Sequence, residues 1–187
     1  MRKDRASKLV KKKRKGLFIA IGIIVAIAVV ISLLVYNYIQ NPPRSLGFGA
    51  LGSAHEHAAL KFFINNEEPI DFSLPSYQTK SKLIHFEDDN GLIVHRHATG
   101  VDLGFLFESI DMKFDDQCIT LDNGTSYCNN ADKTLKFFVN KVSNDIYDNY
   151  VLNDGDKILI TYGNETEEQI ESQFNILNLV DIPTGQL

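Results

Sequence analysis

HFEDDNGLIVHRHATGVDLG, residues 85–104, is the stretch that decides how this chain folds. Residues 82–86 and 92–97 on either side of its turn are largely apolar and predict two strands. The turn between them, Asp88-Asp89-Asn90-Gly91, contains Asn-Gly, which favours a tight hairpin. Apolar residues of 101–110 then recur at helical spacing, which predicts a short amphipathic helix. A hairpin that leads into a helix is typical of an α+β fold.

An internal echo predicts two similar strands elsewhere in the chain. LKFFIN at residues 60–65 recurs as LKFFVN at residues 135–140. Each is predicted to open a hairpin, with its second strand at 70–72 in the first case and at 146–152 in the second. One repeated hexapeptide is too little for a repeat protein, so we interpret the echo as two strands of one sheet.

The end of the chain predicts a last strand and a closing helix. The strand covers residues 157–162 and follows a tight Asn-Asp-Gly-Asp turn. Thr166-Glu-Glu-Gln169 has the pattern of a capping box, and the apolar residues after it lie on one helical face. With about eight strands and two helices in all, residues 55–187 are predicted to form one α+β domain.

The C-terminal part also resembles a known fold. Residues 135–163, with YVLNDGDKILITYG at 150–163, are similar to ubiquitin-like β-grasp domains. The resemblance implies a β-grasp-like mixed sheet with a short central helix, followed here by the C-terminal helix. Sulfur carriers of this family end in Gly-Gly, whereas this chain ends Thr184-Gly-Gln-Leu187, so their carrier function is not implied.

The N-terminal region predicts a membrane anchor. Residues 1–16 hold nine Lys or Arg and one Asp, a charge of +8, whereas the other residues hold 10 basic and 23 acidic side chains, a charge of −13. The apolar residues 17–39 are long enough to span a bilayer, and they exceed the usual core of the alternative, a cleaved signal peptide. The positive-inside rule then puts 1–16 in the cytoplasm, and 40–54 becomes a linker to an extracytoplasmic domain.

These features predict a single-pass protein of the cell membrane whose first partner is the lipid bilayer. The basic tail contains no aromatic side chain for base stacking, so nucleic-acid binding is not predicted. The layout resembles membrane-anchored ectodomain proteins of ammonia-oxidising archaea, through the following motifs: HEHA (55–58), HFE (85–87), HRHATG (95–100), LGFLFE (103–108) and DGDKILITYG (154–163). The resemblance implies anchorage and export but supplies no activity.

The histidines give the strongest chemical signal. All five lie within 43 residues, as two His-x-His pairs and one single residue: His55, His57, His85, His95 and His97. In a strand, both members of such a pair point to one face, so the faces could meet around a divalent ion. Imidazole suits copper and zinc, and scarce soft ligands favour Cu(II) or Zn(II) over Cu(I). The best ligand set omits only His55, and Glu87 or Asp88 could bind the ion or orient a ring.

Other interpretations of the histidines stay open. They could be half-buried structural residues of an accessory module that binds a larger membrane complex, or a pH-responsive cluster. A metalloenzyme or a thiol–disulfide protein is less favoured. No spacing of acidic residues requires general acid–base catalysis, so the sequence predicts no catalytic residue and leans towards a non-enzymatic role.

Cys118 and Cys128 are the only cysteines, and they flank a second Asn-Gly turn. This spacing places them opposite each other in a hairpin and predicts a structural disulfide, which an extracytoplasmic location permits. Redox-active dithiols usually have a Cys-x-x-Cys spacing at a helix N-terminus, which is absent here. Asn123 and Asn164 lie in N-glycosylation patterns at predicted turns, so they are possible glycosylation sites.

Overall fold

The computed structural model describes residues 21–36 and 47–183. Residues 21–36 are helical (α1), and the chain divides into two compact units, Met1–Leu46 and Gly47–Leu187. Among the described residues, no helix combines the length and the apolar character needed to cross a membrane. The predicted basic tail, both ends of the predicted anchor and the first part of the predicted linker lie outside the described residues.

The described part of the second unit is an α+β domain, as predicted. It contains nine strands, two α-helices and a 3₁₀ turn. In chain order these are β1 (Glu56–Ile64), β2 (Ile84–Glu87), β3 (Asn90–Arg96), α2 (Leu103–Ser109), β4 (Lys113–Phe114), β5 (Cys118–Thr120), β6 (Ser126–Cys128), β7 (Thr134–Val139), β8 (Val142–Ser143), the 3₁₀ turn (Tyr147–Asn149), β9 (Lys157–Gly163) and α3 (Glu167–Asn178).

The strands form a large mixed sheet and a small antiparallel one. The large sheet has the order β2-β3-β1-β9-β7-β8, and the small sheet has the order β4-β5-β6. Only β1 and β9 of the large sheet run parallel, and all its other neighbours are antiparallel. β1 and β7, which carry the echoed LKFF sequence, lie on either side of β9. The prediction that they share one sheet is confirmed, although they pair with β9 and not with each other.

The hairpin of β2 and β3 is confirmed, but its turn is not at Asn-Gly. The two turn residues are Asp88 and Asp89, with φ of 58° and 53°. Gly91 lies inside β3, where a Cβ would come within 2.4 Å of the backbone nitrogen of Ser73. Close packing against another segment, and not turn geometry, therefore requires this glycine.

The predicted second strands of the two other hairpins are wrong. Residues 70–72 form no strand, and β1 ends in a turn closed by one bridge between Ile64 and Glu67. β7 pairs with β8, which follows it after a two-residue turn. Both turn residues have positive φ, as tight hairpin turns require. Because the chain reverses so early, residues 146–152 form a loop and the 3₁₀ turn.

Both predicted helices are present and begin at capping residues. The carboxylate of Asp102 accepts a hydrogen bond from the backbone N–H of Phe105 at the start of α2. At the start of α3, Thr166 and Gln169 form the predicted capping box, in which each side chain bonds the other residue's backbone N–H. These bonds satisfy amide groups that have no partner within the helix.

The two helices pack on opposite faces of the large sheet. On one face, α2 and the small sheet enclose the main core, whose largest fully buried side chains include Phe86, Phe107 and Phe137. On the other face, α3 covers a smaller cluster formed by Ala59, Phe63, Ile93, Leu159, Phe174 and Leu177. This helix covers only part of its face, and the histidines lie on the remainder, because His57 and His95 alternate in step with Ala59 and Ile93.

Candidate metal centre

Strand register brings the histidines into one row across three strands. β3 lies between β1 and β2, and His95 at its end faces His57 on β1 and His85 on β2. His55 and His97 lie one step further along, with their ring centroids 5.0 Å apart. The predicted meeting of the two His-x-His faces is therefore confirmed.

The five imidazoles form one continuous cluster, with ring centroids of neighbours between 4.6 Å and 6.2 Å apart. His57 and His85 are buried, and the other three rings are partly buried. So many imidazoles at close range cannot all carry a proton, since like charges repel strongly in a partly desolvated site. The cluster thus gathers several imidazole nitrogens, which bind metals in their unprotonated form.

The middle residue of each His-x-His pair points to the opposite face of the sheet. Glu56 and Arg96 face each other across β1 and β3, with Oε1 of Glu56 3.5 Å from Nη2 of Arg96. Buried Arg96 also donates to the backbone oxygens of Leu152 (3.1 Å) and Ala98 (2.8 Å). Of these contacts, the one between Glu56 and Arg96 joins the two strands, directly beneath the paired histidines.

Glu87 places a carboxylate among the rings. Its Oε2 lies 3.0 Å from Nε2 of His85, and its Oε1 lies 3.1 Å from Nδ1 of His95. The β2–β3 register shifts between His85 and Glu87, an irregularity of the kind that re-aims side chains. Burial would raise the pKa of Glu87, but the hydrogen bond with His85 and the neighbouring histidines outweigh burial and lower it. Glu87 is therefore a carboxylate at neutral pH.

His85 is held between two hydrogen-bond acceptors. Its Nδ1 lies 2.6 Å from the backbone oxygen of Ser81, and its Nε2 faces the carboxylate of Glu87. A carbonyl oxygen can only accept, so Nδ1 carries the proton, and Nε2 of a neutral ring presents a lone pair to an anion. The lone pair and the carboxylate repel each other. A cation bound by both of them removes this repulsion, and so does a second proton on the ring. Metal-binding histidines commonly donate their other N–H to a carbonyl in this way.

Three ligand atoms come close enough together to hold one ion. One atom each of His85, Glu87 and His97 lies within 4.8 Å of the others. The set differs from the predicted best one, since Glu87 replaces His57 and His95. Two imidazoles and a carboxylate are ligands that divalent transition metals use in proteins, and this set leaves coordination positions open.

The environment keeps two of the rings unprotonated. Burial lowers the pKa of His95 to about 4, although the charge of Glu87 opposes the change. Burial and the neighbouring His85 also lower the pKa of His97. Both rings are therefore neutral at physiological pH.

The surroundings of the cluster include groups that sequence reasoning missed. The Asp154 carboxylate accepts the backbone N–H of His57 (2.9 Å) and lies 3.7 Å from Nδ1 of that ring. Asp154 is distant in sequence and reaches His57 only because β9 pairs in parallel with β1. The backbone oxygen of Ser81 was also missed, because a carbonyl has no sequence signature.

Part of the predicted linker also packs beside the histidines. The backbone N–H of Gly52 donates to the oxygen of His97 (2.7 Å), and that of Gly49 donates to the oxygen of Thr99 (2.9 Å). The compact unit accordingly begins at Gly47, before the predicted start of the domain at His55.

The predicted disulfide is present. Cys118 and Cys128 face each other on β5 and β6, and their sulfur atoms are bonded. The bond joins two strands and does not lie at a helix N-terminus. Asn123 and Asn164 are both exposed in non-strand segments, and their glycosylation stays a prediction.

No protein-family model, curated protein or solved structure matches this chain. The functional interpretation therefore depends on the geometry of the chain itself.

Proposed function

We propose that this chain is a membrane-anchored, extracytoplasmic protein that binds Cu(II) or Zn(II), for capture or delivery of the metal. The observation that supports it most directly is the approach of His85, Glu87 and His97 within 4.8 Å. The hydrogen bond from Nδ1 of His85 to the Ser81 carbonyl leaves Nε2 as the donor atom on the side of Glu87. Two imidazoles and a carboxylate would give one ion three protein ligands.

The nitrogen and oxygen ligands at the site favour Cu(II) or Zn(II) over Cu(I). Cu(I) sites are built on thiolate and thioether sulfur. Cys118 and Cys128 are joined in a disulfide, and Met112 is buried in the main core. Neither sulfur type is therefore offered to the site by the described residues, whose ligands are nitrogen and oxygen.

Anchorage and export are part of the proposal. Their support is the uncharged apolar run of residues 17–39 after a basic tail, together with a disulfide in the following domain. We further propose that the domain is β-grasp-like. Its parallel pair β1–β9 at the centre of the sheet, with antiparallel neighbours on both sides, supports that description.

Metal analysis of the full-length chain, purified in a mild detergent, tests the function. We expect at least one Cu(II) or Zn(II) ion per chain after dialysis against metal-free buffer, and a higher melting temperature with metal than without it. Glu87→Gln should reduce both effects, because the amide removes the anionic ligand. Glu67→Gln, at an exposed site outside the cluster, is the matched control.

A chain that stays metal-free and whose melting temperature ignores added copper and zinc would contradict the proposal. The histidines would then be structural, as the accessory-module interpretation requires.

A further inference from the structure

The three ligands of the proposed site all come from one pair of neighbouring strands. His85 and Glu87 belong to β2, and His97 directly follows β3. The backbone N–H of His97 donates to the oxygen of Leu83 (2.7 Å), so the chain stays beside β2 after β3 ends. The rings of His85 and His97 have centroids 5.0 Å apart and planes tilted by 34°. The two imidazoles therefore project side by side from the same face of the sheet.

Ligands that project from one face bind an ion from one side. The ion lies above the sheet, and the opposite side of the ion is turned away from the strands that supply its ligands. Three protein ligands are fewer than the four or more that Zn(II) and Cu(II) take. The remaining coordination positions are therefore directed away from the sheet.

The packing on this face leaves the ligands accessible. The apolar cluster that α3 covers contains none of the three ligands. The side chain of Glu87 is 32% exposed, whereas that of His85 is 8% exposed, and His97 is partly buried. Exposure thus increases from His85 to Glu87, so an external molecule can approach the ion from the side of the carboxylate.

The ligands also differ in how they are held. Nδ1 of buried His85 is hydrogen-bonded to the backbone oxygen of Ser81 (2.6 Å), which fixes the ring to the main chain. The carboxylate of Glu87 contacts only the side chains of His85 and His95, at 3.0 Å and 3.1 Å. His85 is therefore the firmly held ligand, and Glu87 is the one that an incoming donor can replace.

We propose that the site delivers its ion by ligand exchange with an acceptor protein. An imidazole of the acceptor binds the ion at an open position before any ligand of this chain leaves. Exposed Glu87 is then replaced first and buried His85 last, and the ion keeps its oxidation state throughout. This inference rests on the proposed function, since it describes how the bound metal is passed on.

Added imidazole tests the first step in the full-length chain loaded with Cu(II). We expect isotope-labelled imidazole to coordinate the copper, which pulsed electron paramagnetic resonance detects through the labelled nitrogen. The copper should stay with the protein in gel filtration under the same conditions. Imidazole that coordinates copper only after the metal has left the chain would overturn the inference.

The rate of zinc transfer to the coloured chelator pyridylazoresorcinol tests the route. Exchange through a shared complex predicts a rate that rises in proportion to chelator concentration in the wild type. A rate that is the same at every chelator concentration would mean that zinc dissociates first, which overturns the inference and leaves the proposed function intact. A chain that binds neither metal would overturn the proposed function.

Two variants test which ligand is replaced first. Glu87→Gln should steepen the dependence of the transfer rate on chelator concentration, because the amide is a weaker ligand. Glu67→Gln, at an exposed site outside the cluster, should leave the dependence as in wild type. Equal slopes in the two variants would contradict the assignment of Glu87 as the first ligand to leave.

Discussion

On one face of the six-stranded sheet, Ile84, Phe86 and Val94 are fully buried in the main core. On the other face, their neighbours in sequence, His85 and His95, meet across the same two strands. The first face is closed by α2 and the small sheet, whereas α3 covers only part of the second. Successive side chains of a strand point to opposite faces. The same two strands therefore stabilise the fold with the residues on one face and present the histidines with the residues on the other.

The middle residues of the His-x-His pairs lie on the core face, directly behind the histidines. Glu56 and Arg96 are held on the core side, where Arg96 reaches two backbone oxygens. Rigid support from the core side is what a binding site needs to keep its ligands in position. Changes on the core face should therefore alter stability first, and changes on the histidine face should alter metal binding first.

Phe86→Ala should have the largest effect on stability. Phe86 is fully buried and stacks on Phe72, with centroids 4.8 Å apart, so the variant loses apolar contacts and leaves a cavity. We expect the free energy of unfolding of the metal-free protein to fall by about 3–5 kcal/mol, measured by urea denaturation. Leu92→Ala, at a half-exposed position on the same hairpin, should change it by roughly 0.5 kcal/mol or less. Similar losses in both variants would remove the distinction between core and surface on this hairpin.

His97→Ala should act on the metal with little effect on the fold. The ring is only partly buried and belongs to the three-ligand group, so its loss removes one metal–ligand bond. We expect the dissociation constant for zinc to rise by about 100-fold, or roughly 3 kcal/mol, in isothermal titration calorimetry. The unfolding free energy without metal should change by less than about 1 kcal/mol. Unchanged zinc affinity would show that His97 is not a ligand.

Replacing both Cys118 and Cys128 by serine should lower the stability of the fold without changing zinc binding. The disulfide closes a short loop, and Ile119 beside Cys118 is fully buried in the main core. The loop-entropy relation predicts a loss of about 2–3 kcal/mol in unfolding free energy. Zinc affinity at a temperature where the variant is folded should equal that of wild type. A drop in affinity would mean that the small sheet supports the histidine face as well.

Acid should destabilise the metal-free histidine face. The pKa of His95 in the folded protein is about 4, because of burial, against an ordinary value of 6.5. Between these values the unfolded chain binds more protons, so stability is full above about pH 6.5 and falls as the pH approaches 4. We expect the melting temperature to fall across this window, and to fall less in His95→Gln. An identical pH profile for the two proteins would contradict the assignment.

Alkali should act on the core side, with the smallest effect. Burial and a hydrogen bond to Asp156 raise the pKa of Tyr150 to about 12, and burial and Asp122 do the same for Tyr77. The unfolded chain loses these protons from about pH 10, so stability is full below that pH and decreases towards 12. Absorbance at the tyrosinate band should show one late-titrating group fewer in Tyr150→Phe than in wild type. An equal number in the two proteins would contradict the assignment to Tyr150.

Local sequence signals predicted much of the fold. Both helices begin at residues with capping side chains, and the cysteines pair as their spacing indicated. The strands predicted at 70–72 and 146–152 are absent because the chain reverses earlier, in tight turns whose residues have positive φ. The Asn90-Gly91 pair does not form the turn that it predicted, because Gly91 is needed for close packing against Ser73.

Sequence predicted the site less completely than the fold. The period of two in a strand was enough to put each His-x-His pair on one face. The position of Glu87 between His85 and His95 depends on a shift in the β2–β3 register, which no residue pattern predicts. Asp154 reaches His57 through the pairing of the first and last strands, which local pattern cannot reveal.

The parallel pairing of β1 with β9 also constrains the order in which the chain can fold. Residues 59–64 of β1 pair with 157–162 of β9, so nearly a hundred residues separate the partners. Such long-range pairing forms late, because a large loop must close first. The β2–β3 hairpin can form early and alone, carrying His85, Glu87 and His95. His57 faces His95 through the pairing of β1 with β3, but β1 gains its second neighbouring strand only after residues 157–162 have been synthesised, so the sheet beneath the histidine cluster is completed late.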